Sequence, residues 1–595
     1  MKHQRKRWLG LAIVPALLAL LSLAAPAYAT DYTCADVPTN PSGNTVVGTA
    51  GTPCSIPAAG VNASTGSLTI LGSTITTTGP LAASNALAIT GTSTINVKAL
   101  TGASVNVQTG TANVTTTNIT STSGNIDVSA TGVINTRILS GAQHVDLDAK
   151  GTTGDAKVTG ALTANNGYVQ VRAGRLVKIT GAVKSVANGN ILITAKTTLA
   201  TGAITGAPGS NVDLKANVSG GTSAFVINPS TGTPVNGVKG KINASNGSTV
   251  YVTNGSSTSA SPIALTTNTD IAISGTVSNR YIILNANNGT INLPTGILSV
   301  DGSGATGAAG QIQLLAQTVA FADNSGLSAK QQSSAAGSLH GIAIAAKFVS
   351  YGGSTGLTLA ADGNGNNPGA AFVYLLPQGA TTITDGQDVN NLFITVSNSL
   401  FGASNPITYT ANSTASPLMV TANGDNSFIG IYAYPVKFVS GGAVTFQAQG
   451  NLSHKIFFSN VGTLTNVDGL VFGGIGALTI DASAVASGKG GDIAFSVDKM
   501  PISASSVSLN ANGPTGGTNG DGGTIFVGSQ NLSTSSTSTV TVTANASTSG
   551  TGNAVAGDPL QNVPKAIQLY LGACPKIRLA GKVLNWRAFS NPSNC

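Results

Sequence analysis

"NIDVSA" (residues 125–130) belongs to a six-residue phrase that returns along the chain about every twenty residues. The other copies are SVNVQT (104–109), HVDLDA (144–149), YVQVRA (168–173), NILITA (190–195) and NVDLKA (211–216). Counted between their first apolar residues, the steps are 21, 19, 24, 22 and 21 residues. Repeats with periods of roughly 20–50 residues are typical of proteins built from stacked units. We therefore predict that each repeat is one layer of a stack.

Apolar and polar residues alternate within each phrase. In one copy Ile126, Val128 and Ala130 share one strand face, and Asp127 and Ser129 lie on the other. This period of two indicates a β-strand with one buried face. A unit of this length cannot bury its apolar face alone, so each repeat must form a coil that pairs with the coils above and below it. We predict an elongated parallel β-helix (β-solenoid); an array of β-sandwiches is the alternative.

The composition favours the same class. The chain of 595 residues contains 75 glycines, only 8% of its residues are charged, and its mean hydropathy is +0.22. Disordered segments combine low hydrophobicity with high charge, so this composition argues against them. The abundant Thr, Val and Ile suit strands, and Gly and Asn suit the turns between them. The prediction is therefore an all-β protein with many short strands.

The first 29 residues are typical of a secretory signal peptide. The basic start MKHQRKRW is followed by the apolar run LGLAIVPALLALLSLAA and by the small-residue signal AYA (27–29). We expect cleavage after Ala29 and a secreted or cell-surface location; a retained anchor is the alternative. No second apolar run of 18 or more residues follows, so we expect no transmembrane helix in the mature chain.

Cleavage also changes the charge. The four basic residues of the signal leave with it, and the net charge falls from +8 to +4. A charge of +4 on the mature chain does not indicate a nucleic-acid partner, and none is expected.

The four cysteines lie near the two ends of the mature chain. Cys34 and Cys54 are close to its start, and Cys574 and Cys595 are close to its end. An even number of cysteines in an exported chain indicates disulfides, and of the three possible connectivities we favour the local one, 34–54 and 574–595. Each bridge would add about 3 kcal/mol by closing a loop of roughly twenty residues. Metal binding by these cysteines is not expected, because no CxxC pair or histidine accompanies them.

Composition shifts divide the chain further. Residues 372–472 hold half of all Phe and Tyr residues, which indicates either wider coils filled by larger side chains or an inserted subdomain with a sugar-stacking surface. The first interpretation is favoured. The predicted organisation is a signal peptide (1–29), an N-terminal cap (30–85), solenoid repeats (86–371), aromatic-rich wider coils or an insertion (372–472), further repeats (473–560) and a C-terminal cap (561–595).

The repeat style resembles the filamentous haemagglutinin-type adhesins of bacteria. Glycine-rich corners precede strands of the form I-x-I-x-A in residues 104–217, 311–316, 341–346, 488–497 and 520–529, in a chain that also begins with an export signal. The resemblance implies a right-handed parallel β-helix used for attachment to hosts, surfaces or other cells, including biofilm formation. It also implies that the partners are glycan or protein receptors, or further copies of the chain.

The best candidate for chemistry is a cluster of outward carboxylates. In the predicted register Asp127 lies beside Asp146, and Asp148 follows two residues along the same strand. A close carboxylate pair can serve glycoside hydrolysis or bind Ca²⁺, and a solvated polar face is the favoured alternative. The histidines are far apart in sequence and form no Ser/His/Asp constellation. We therefore expect a non-catalytic surface protein without metal or cofactor; a carbohydrate-active β-helix enzyme, a polysaccharide hydrolase or lyase, is the second hypothesis.

Overall fold

The structure is a computed structural model of the chain. It describes the following residues: 29–187, 189–219, 221–255, 263–277, 279–322, 325–330, 332, 340–351, 357–362, 371–376, 391–395, 407–411, 418–421, 428–433, 436–440, 443–450, 454–460, 470–486, 488–496, 499–514, 522–527, 531–534, 539–544, 568–571 and 578–579. By contact density the chain divides into two units, with the boundary between Asn165 and Asn166. All regular structure in the described residues is β-strand.

The strands of unit 1 are short. In chain order they are β1 (Thr30–Tyr32), β2 (Thr45–Val47), β3 (Cys54–Ile56), β4 (Val61–Ala63), β5 (Leu68–Gly72), β6 (Ile75–Thr77), β7 (Leu81–Ala83), β8 (Ala86–Gly91), β9 (Ile95–Asn96), β10 (Leu100–Gly102), β11 (Ser104–Thr109), β12 (Val114–Thr115), β13 (Asn118–Ser121), β14 (Ile126–Ala130), β15 (Ile134–Thr136), β16 (Ile138–Gly141), β17 (Val145–Ala149), β18 (Ala156–Val158) and β19 (Leu162–Ala164).

These strands form three columns, each made of parallel strands from successive coils. The first column runs β1, β2, β5, β8, β11, β14, β17, and its strands include three of the repeated phrases. The second column runs β3, β6, β9, β12, β15, β18. The third runs β4, β7, β10, β13, β16, β19. Each full coil therefore has three sides.

The strands of unit 2 begin at the same length and then become longer. They are β20 (Val169–Ala173), β21 (Leu176–Ile179), β22 (Val183–Ser185), β23 (Ile191–Ala195), β24 (Thr198–Thr201), β25 (Ile204–Thr205), β26 (Asn211–Ala216), β27 (Phe225–Ile227), β28 (Gly237–Val238), β29 (Ile242–Asn243), β30 (Thr249–Asn254), β31 (Leu265–Thr267), β32 (Ile271–Ala272), β33 (Tyr281–Asn285), β34 (Thr290–Leu293), β35 (Gly296–Ser299), β36 (Gln311–Phe321), β37 (Ser325–Lys330), β38 (His340–Tyr351), β39 (Leu357–Asp362), β40 (Ala371–Leu376), β41 (Asn391–Thr395), β42 (Ile407–Ala411), β43 (Leu418–Thr421), β44 (Phe428–Ala433), β45 (Val436–Ser440), β46 (Val444–Gln447), β47 (Lys455–Asn460), β48 (Leu470–Asp481), β49 (Asp492–Ser496), β50 (Lys499–Asn510), β51 (Thr524–Val527), β52 (Asn531–Thr534), β53 (Thr539–Thr543), β54 (Gln568–Leu571) and β55 (Arg578–Leu579).

Unit 2 has the same three-column plan. The first column contains β20, β23, β26, β30 and β33, and continues through the first halves of β36 and β38 to β40, β41, β44, β47, β49 and β51. The long strands β36 and β38 turn a corner and also belong to the second column, and β48 and β50 join the second column to the third. The described strands within residues 372–472 stay in these columns.

The interior of each unit is apolar because alternate residues of every column point inward. In unit 1 the residues Leu87, Val105, Ile126 and Val145 occupy successive layers of the first column and are 0–1% exposed. Burying one such side chain contributes roughly 1.5–3 kcal/mol, and each coil contributes several of them. In unit 2 the core becomes aromatic: the Phe458 ring lies 5.5 Å from Phe446 and stacks on Phe495 at 4.8 Å.

The predicted fold class is confirmed: each unit is an all-β parallel β-helix. The predicted pairing of Val105 with Ile126 and of Ile126 with Val145 is present. DIAISG (270–275) shows the same alternation of residues but contributes β32 to the third column. The spacing also lengthens to 32, 30 and 30 residues between Val250, Ile282, Ile312 and Ile342, because longer strands and corners enlarge the coil.

The disulfide Cys34–Cys54 is present, as predicted, and spans 20 residues. It joins the segment after β1 to the start of β3. Cys574 and Cys595 lie outside the described residues, as does the predicted signal peptide up to residue 28. In the parts of the chain that the structure describes, there is no helix of the length and hydropathy that crossing a membrane requires.

An interior corner precedes the first column of unit 2, and several of its residues are polar or glycine. Arg280, His340 and His454 are fully buried there. Glycine in the next coil leaves the space that such a side chain needs: a Cβ on Gly310 would lie 2.9 Å from the Arg280 Cβ, and one on Gly491 would lie 2.4 Å from the His454 Cδ2. The glycine-rich sequences before these strands are therefore required by packing between layers.

Candidate functional site

The carboxylates singled out from the sequence lie side by side on the outer face of the first column in unit 1. Strands β14 and β17 pair Asp127 with Asp146 and Ser129 with Asp148, which is the predicted register. Strand β11 adds Asn106 next to Asp127. All three carboxylates are half-buried, and strands paired in this way are about 4.8 Å apart. The backbone alone thus brings Asp127 and Asp146 together.

The environment of Asp127 favours its protonated form. Burial raises the pKa of this carboxyl above its usual value of 3.8, and the nearby charge of His144 partly offsets that effect by lowering it. A carboxyl with a raised pKa next to a second carboxylate is the arrangement that general acid–base chemistry uses. A polar side chain in a row on adjacent strands is partly buried by its neighbours in any such sheet. The raised pKa of Asp127 alone therefore does not assign a reaction.

His144 is the residue that the sequence analysis missed. The sequence analysis gave His144 no role at the carboxylates, but the charge of His144 acts on Asp127. The carbonyl of His144 accepts a hydrogen bond from the Ile126 N–H at 2.9 Å, so the two coils are directly joined here. The signal was present in the sequence: His144, Asp146 and Asp148 are spaced by two and therefore share one strand face.

No metal centre is evident at the described carboxylates of β14 and β17. Within the described residues there is no group of three or more His, Cys, Asp or Glu side chains placed to hold an ion. The face consists of outward side chains on paired strands, with Asn106, Ser129 and Gln108 as its further polar members. Its chemistry is that of a hydrogen-bonding surface with a local negative charge.

A groove of about 930 Å³ lies elsewhere in unit 1, around the disulfide. Its lining includes Cys34, Gly48 and Pro53, and its ionisable side chains are Asp31 and Tyr32. A Cβ on Gly48 would lie 2.6 Å from the Cys34 Sγ, so this glycine is required by the disulfide packing. The groove holds no pair of catalytic groups among its lining residues.

Arg280 is the most unusual ionisable residue of unit 2. Its side chain is fully buried at the interior corner, and its Nη2 donates hydrogen bonds to the carbonyls of Val300 (3.3 Å) and Ala308. Burial lowers the pKa of the guanidinium to about 10, and Asp301 opposes that shift. These contacts tie the glycine-rich loop 301–310 to the preceding coil, so the role they indicate is structural.

The chain matches no protein-family model, no curated protein and no solved structure. The resemblance to filamentous haemagglutinin-type adhesins therefore depends on the repeat pattern alone.

Proposed function

We propose that the protein is an exported, non-catalytic β-solenoid that acts structurally or adhesively at a bacterial cell surface. Its partners are a glycan or protein receptor, or further copies of the chain. The export step follows from the signal-like segment ending at Ala29, and the adhesive role follows from the outer surface of the β-helix.

The observation that carries the proposal is the regular outer ladder of hydroxyl and amide side chains. Along the second column of unit 1, one outward strand position is occupied in successive coils by Ser55, Thr76, Asn96, Thr115 and Asn135. On the third column Thr101, Thr120, Ser140 and Thr163 form an equivalent row. Each of these groups makes only weak polar contacts, and repetition along a stack converts weak contacts into avidity.

The test is a deletion strain of the native organism. We expect it to lose attachment to surfaces, biofilm mass or envelope architecture, and we expect the full-length chain to restore them. A chain that starts at Thr30, and so lacks the signal, should not restore them although it contains the described strands of both units. A deletion strain that attaches normally and keeps an unchanged envelope would refute the proposal.

A carbohydrate-active enzyme is the second candidate function. The observation in its favour is the raised pKa of Asp127 beside Asp146. The argument against it is that both groups lie on the outer face of paired strands, which is also the position of an ordinary solvated polar surface. Substitution of Asp127 discriminates between the two functions.

A further inference from the structure

The first three coils of unit 2 carry a net charge of +7, which is larger than the +4 of the mature protein as a whole. Between residues 166 and 250 the chain has eight Lys and Arg residues and a single acidic one, Asp213. The total charge of the mature chain conceals this concentration, because acidic residues predominate elsewhere. Asp213 is already neutralised, since its Oδ2 lies 2.7 Å from the Lys215 Nζ. The remaining basic side chains are therefore not offset within this segment.

The fold gathers five of these side chains around the second column. Arg175 and Lys178 belong to the first coil, Lys196 to the second, and Lys239 and Lys241 to the third, and all five are exposed. We call this surface the basic face. Two further exposed cations, Arg172 on the first column and Lys184 on the third, flank it.

Backbone contacts locate the basic face. Lys178 is paired with Ala200 across β21 and β24, and the Arg175 carbonyl accepts a hydrogen bond from the Thr197 N–H at 3.0 Å. At the opposite end of the strands in the same column, the Lys239 N–H donates a hydrogen bond to the Thr201 carbonyl at 2.8 Å. The five cations thus lie within three layers, about 10 Å along the stack and about 20 Å around it.

The four lysines of the basic face are available to an external partner. Within the described part of the chain, Lys178, Lys196, Lys239 and Lys241 make no salt bridge. Their spacing is comparable to the Debye length of about 8 Å at physiological ionic strength, so their fields add at the surface. A partner with regularly spaced negative charges would complement this face.

We propose that the basic face binds an acidic polysaccharide, and this inference rests on the proposed adhesive function. The carboxylates of the polymer would pair with the lysines, and its hydroxyls would hydrogen-bond to Thr198 and Ser219, which lie between the basic positions. No aromatic ring occurs at the described positions of this face, so it lacks the stacking platform that single-stranded nucleic acid uses. Its described residues also form no helix that would enter a duplex groove.

The experiment measures binding of the mature full chain to immobilised alginate, a polyuronate, at low and at physiological salt. The test variant carries Lys178→Gln, Lys196→Gln, Lys239→Gln and Lys241→Gln. The matched control carries Lys98→Gln, Lys150→Gln, Lys330→Gln and Lys489→Gln, which removes the same charge from exposed positions outside the basic face. Thermal unfolding of both variants monitors their folding.

We expect wild-type binding to weaken as salt rises, and the test variant to bind at least about tenfold more weakly while the control stays within about twofold. A third variant with Arg at the same four positions keeps the charge and should bind like the wild type, which separates loss of charge from loss of structure. Absence of alginate binding, or equal losses in the test and control variants, would overturn the proposal. So would tighter binding to duplex DNA or to anionic phosphatidylserine vesicles than to alginate.

The two proposals fail separately. If alginate binding is absent but the deletion strain still loses attachment, the adhesive function stands and the basic face is not its receptor site. If alginate binds but the deletion strain behaves normally, the basic face is real and the surface role is wrong.

Discussion

Asp127 shows how a single residue is shaped by its neighbours in other coils. It is held between Asn106 and Asp146 by the strand pairing, and its pKa is raised because this position is half-buried. In the unfolded chain the same carboxyl is solvated and has its ordinary pKa. The folded state therefore holds the proton more tightly, and ionising Asp127 lowers the free energy of unfolding as the pH rises above about 4.

The variant Asp127→Asn should consequently be more stable than the wild type at pH 7. The difference should shrink as the pH falls and vanish below the unfolded pKa, near 3.8, where the wild-type carboxyl is protonated in both states. Urea denaturation at pH 7 and pH 3 measures this. Asp31→Asn is the control, because Asp31 is exposed on β1 and its substitution should change little at either pH. Equal effects of the two substitutions at pH 7 would contradict the assignment.

The same variant separates the two functions. If the protein is non-catalytic, Asp127→Asn leaves attachment and polysaccharide turnover by the native organism unchanged. Loss of turnover with retained stability would assign Asp127 a catalytic role and displace the adhesive proposal.

At the scale of the strand, a short element is stable here because it belongs to a column. Strand β12 has only two residues, yet Val114 is fully buried between Ile95 and Ile134 of the coils on either side. A two-residue strand carries too little sequence to reveal its period. This is why the first column could be predicted from the repeated phrase, while the second and third columns could not be located.

Strand β47 shows which of two adjacent aromatic residues belongs to the core. Phe458 is fully buried against Phe446, Phe472 and Phe495, whereas Phe457 points to the other face and is half-buried. We expect Phe458→Ala to destabilise unit 2 by about 3–5 kcal/mol, since it leaves a cavity among three rings. Phe457→Ala should cost clearly less. The midpoints of urea denaturation measure both effects, and a larger loss at Phe457 would show that the register of β47 is wrong.

At the scale of the molecule, a coil is the unit that can be removed. Residues 105–125 form one complete coil of unit 1, and Leu87, Val105 and Ile126 occupy the same position in successive layers. Deleting residues 105–125 would bring Ile126 opposite Leu87 and leave all three columns apolar inside. The segment contains no charged residue, so the net charge is unchanged.

We therefore expect the chain lacking residues 105–125 to fold with its β-sheet circular dichroism intact and a cooperative thermal transition close to that of the wild type. A deletion of residues 105–115 removes about half a coil and places the third-column residues of β13 where first-column residues belong. It should lose the cooperative transition. If the two deletions behaved alike, the layers would not be interchangeable and the stacking scheme for this region would fail.

The sequence by itself determined the alternation of inward and outward residues, the first-column register of residues 104–216 and the local disulfide Cys34–Cys54, because each is encoded within a few neighbouring positions or one short loop. Only the tertiary structure decided the remaining features. Gly491 makes room for His454, and Lys178 and Lys239 come within three layers although about sixty residues separate them. The physical reason is that a coil returns the chain to the same place after a variable number of residues, so contacts between layers depend on how each corner is built.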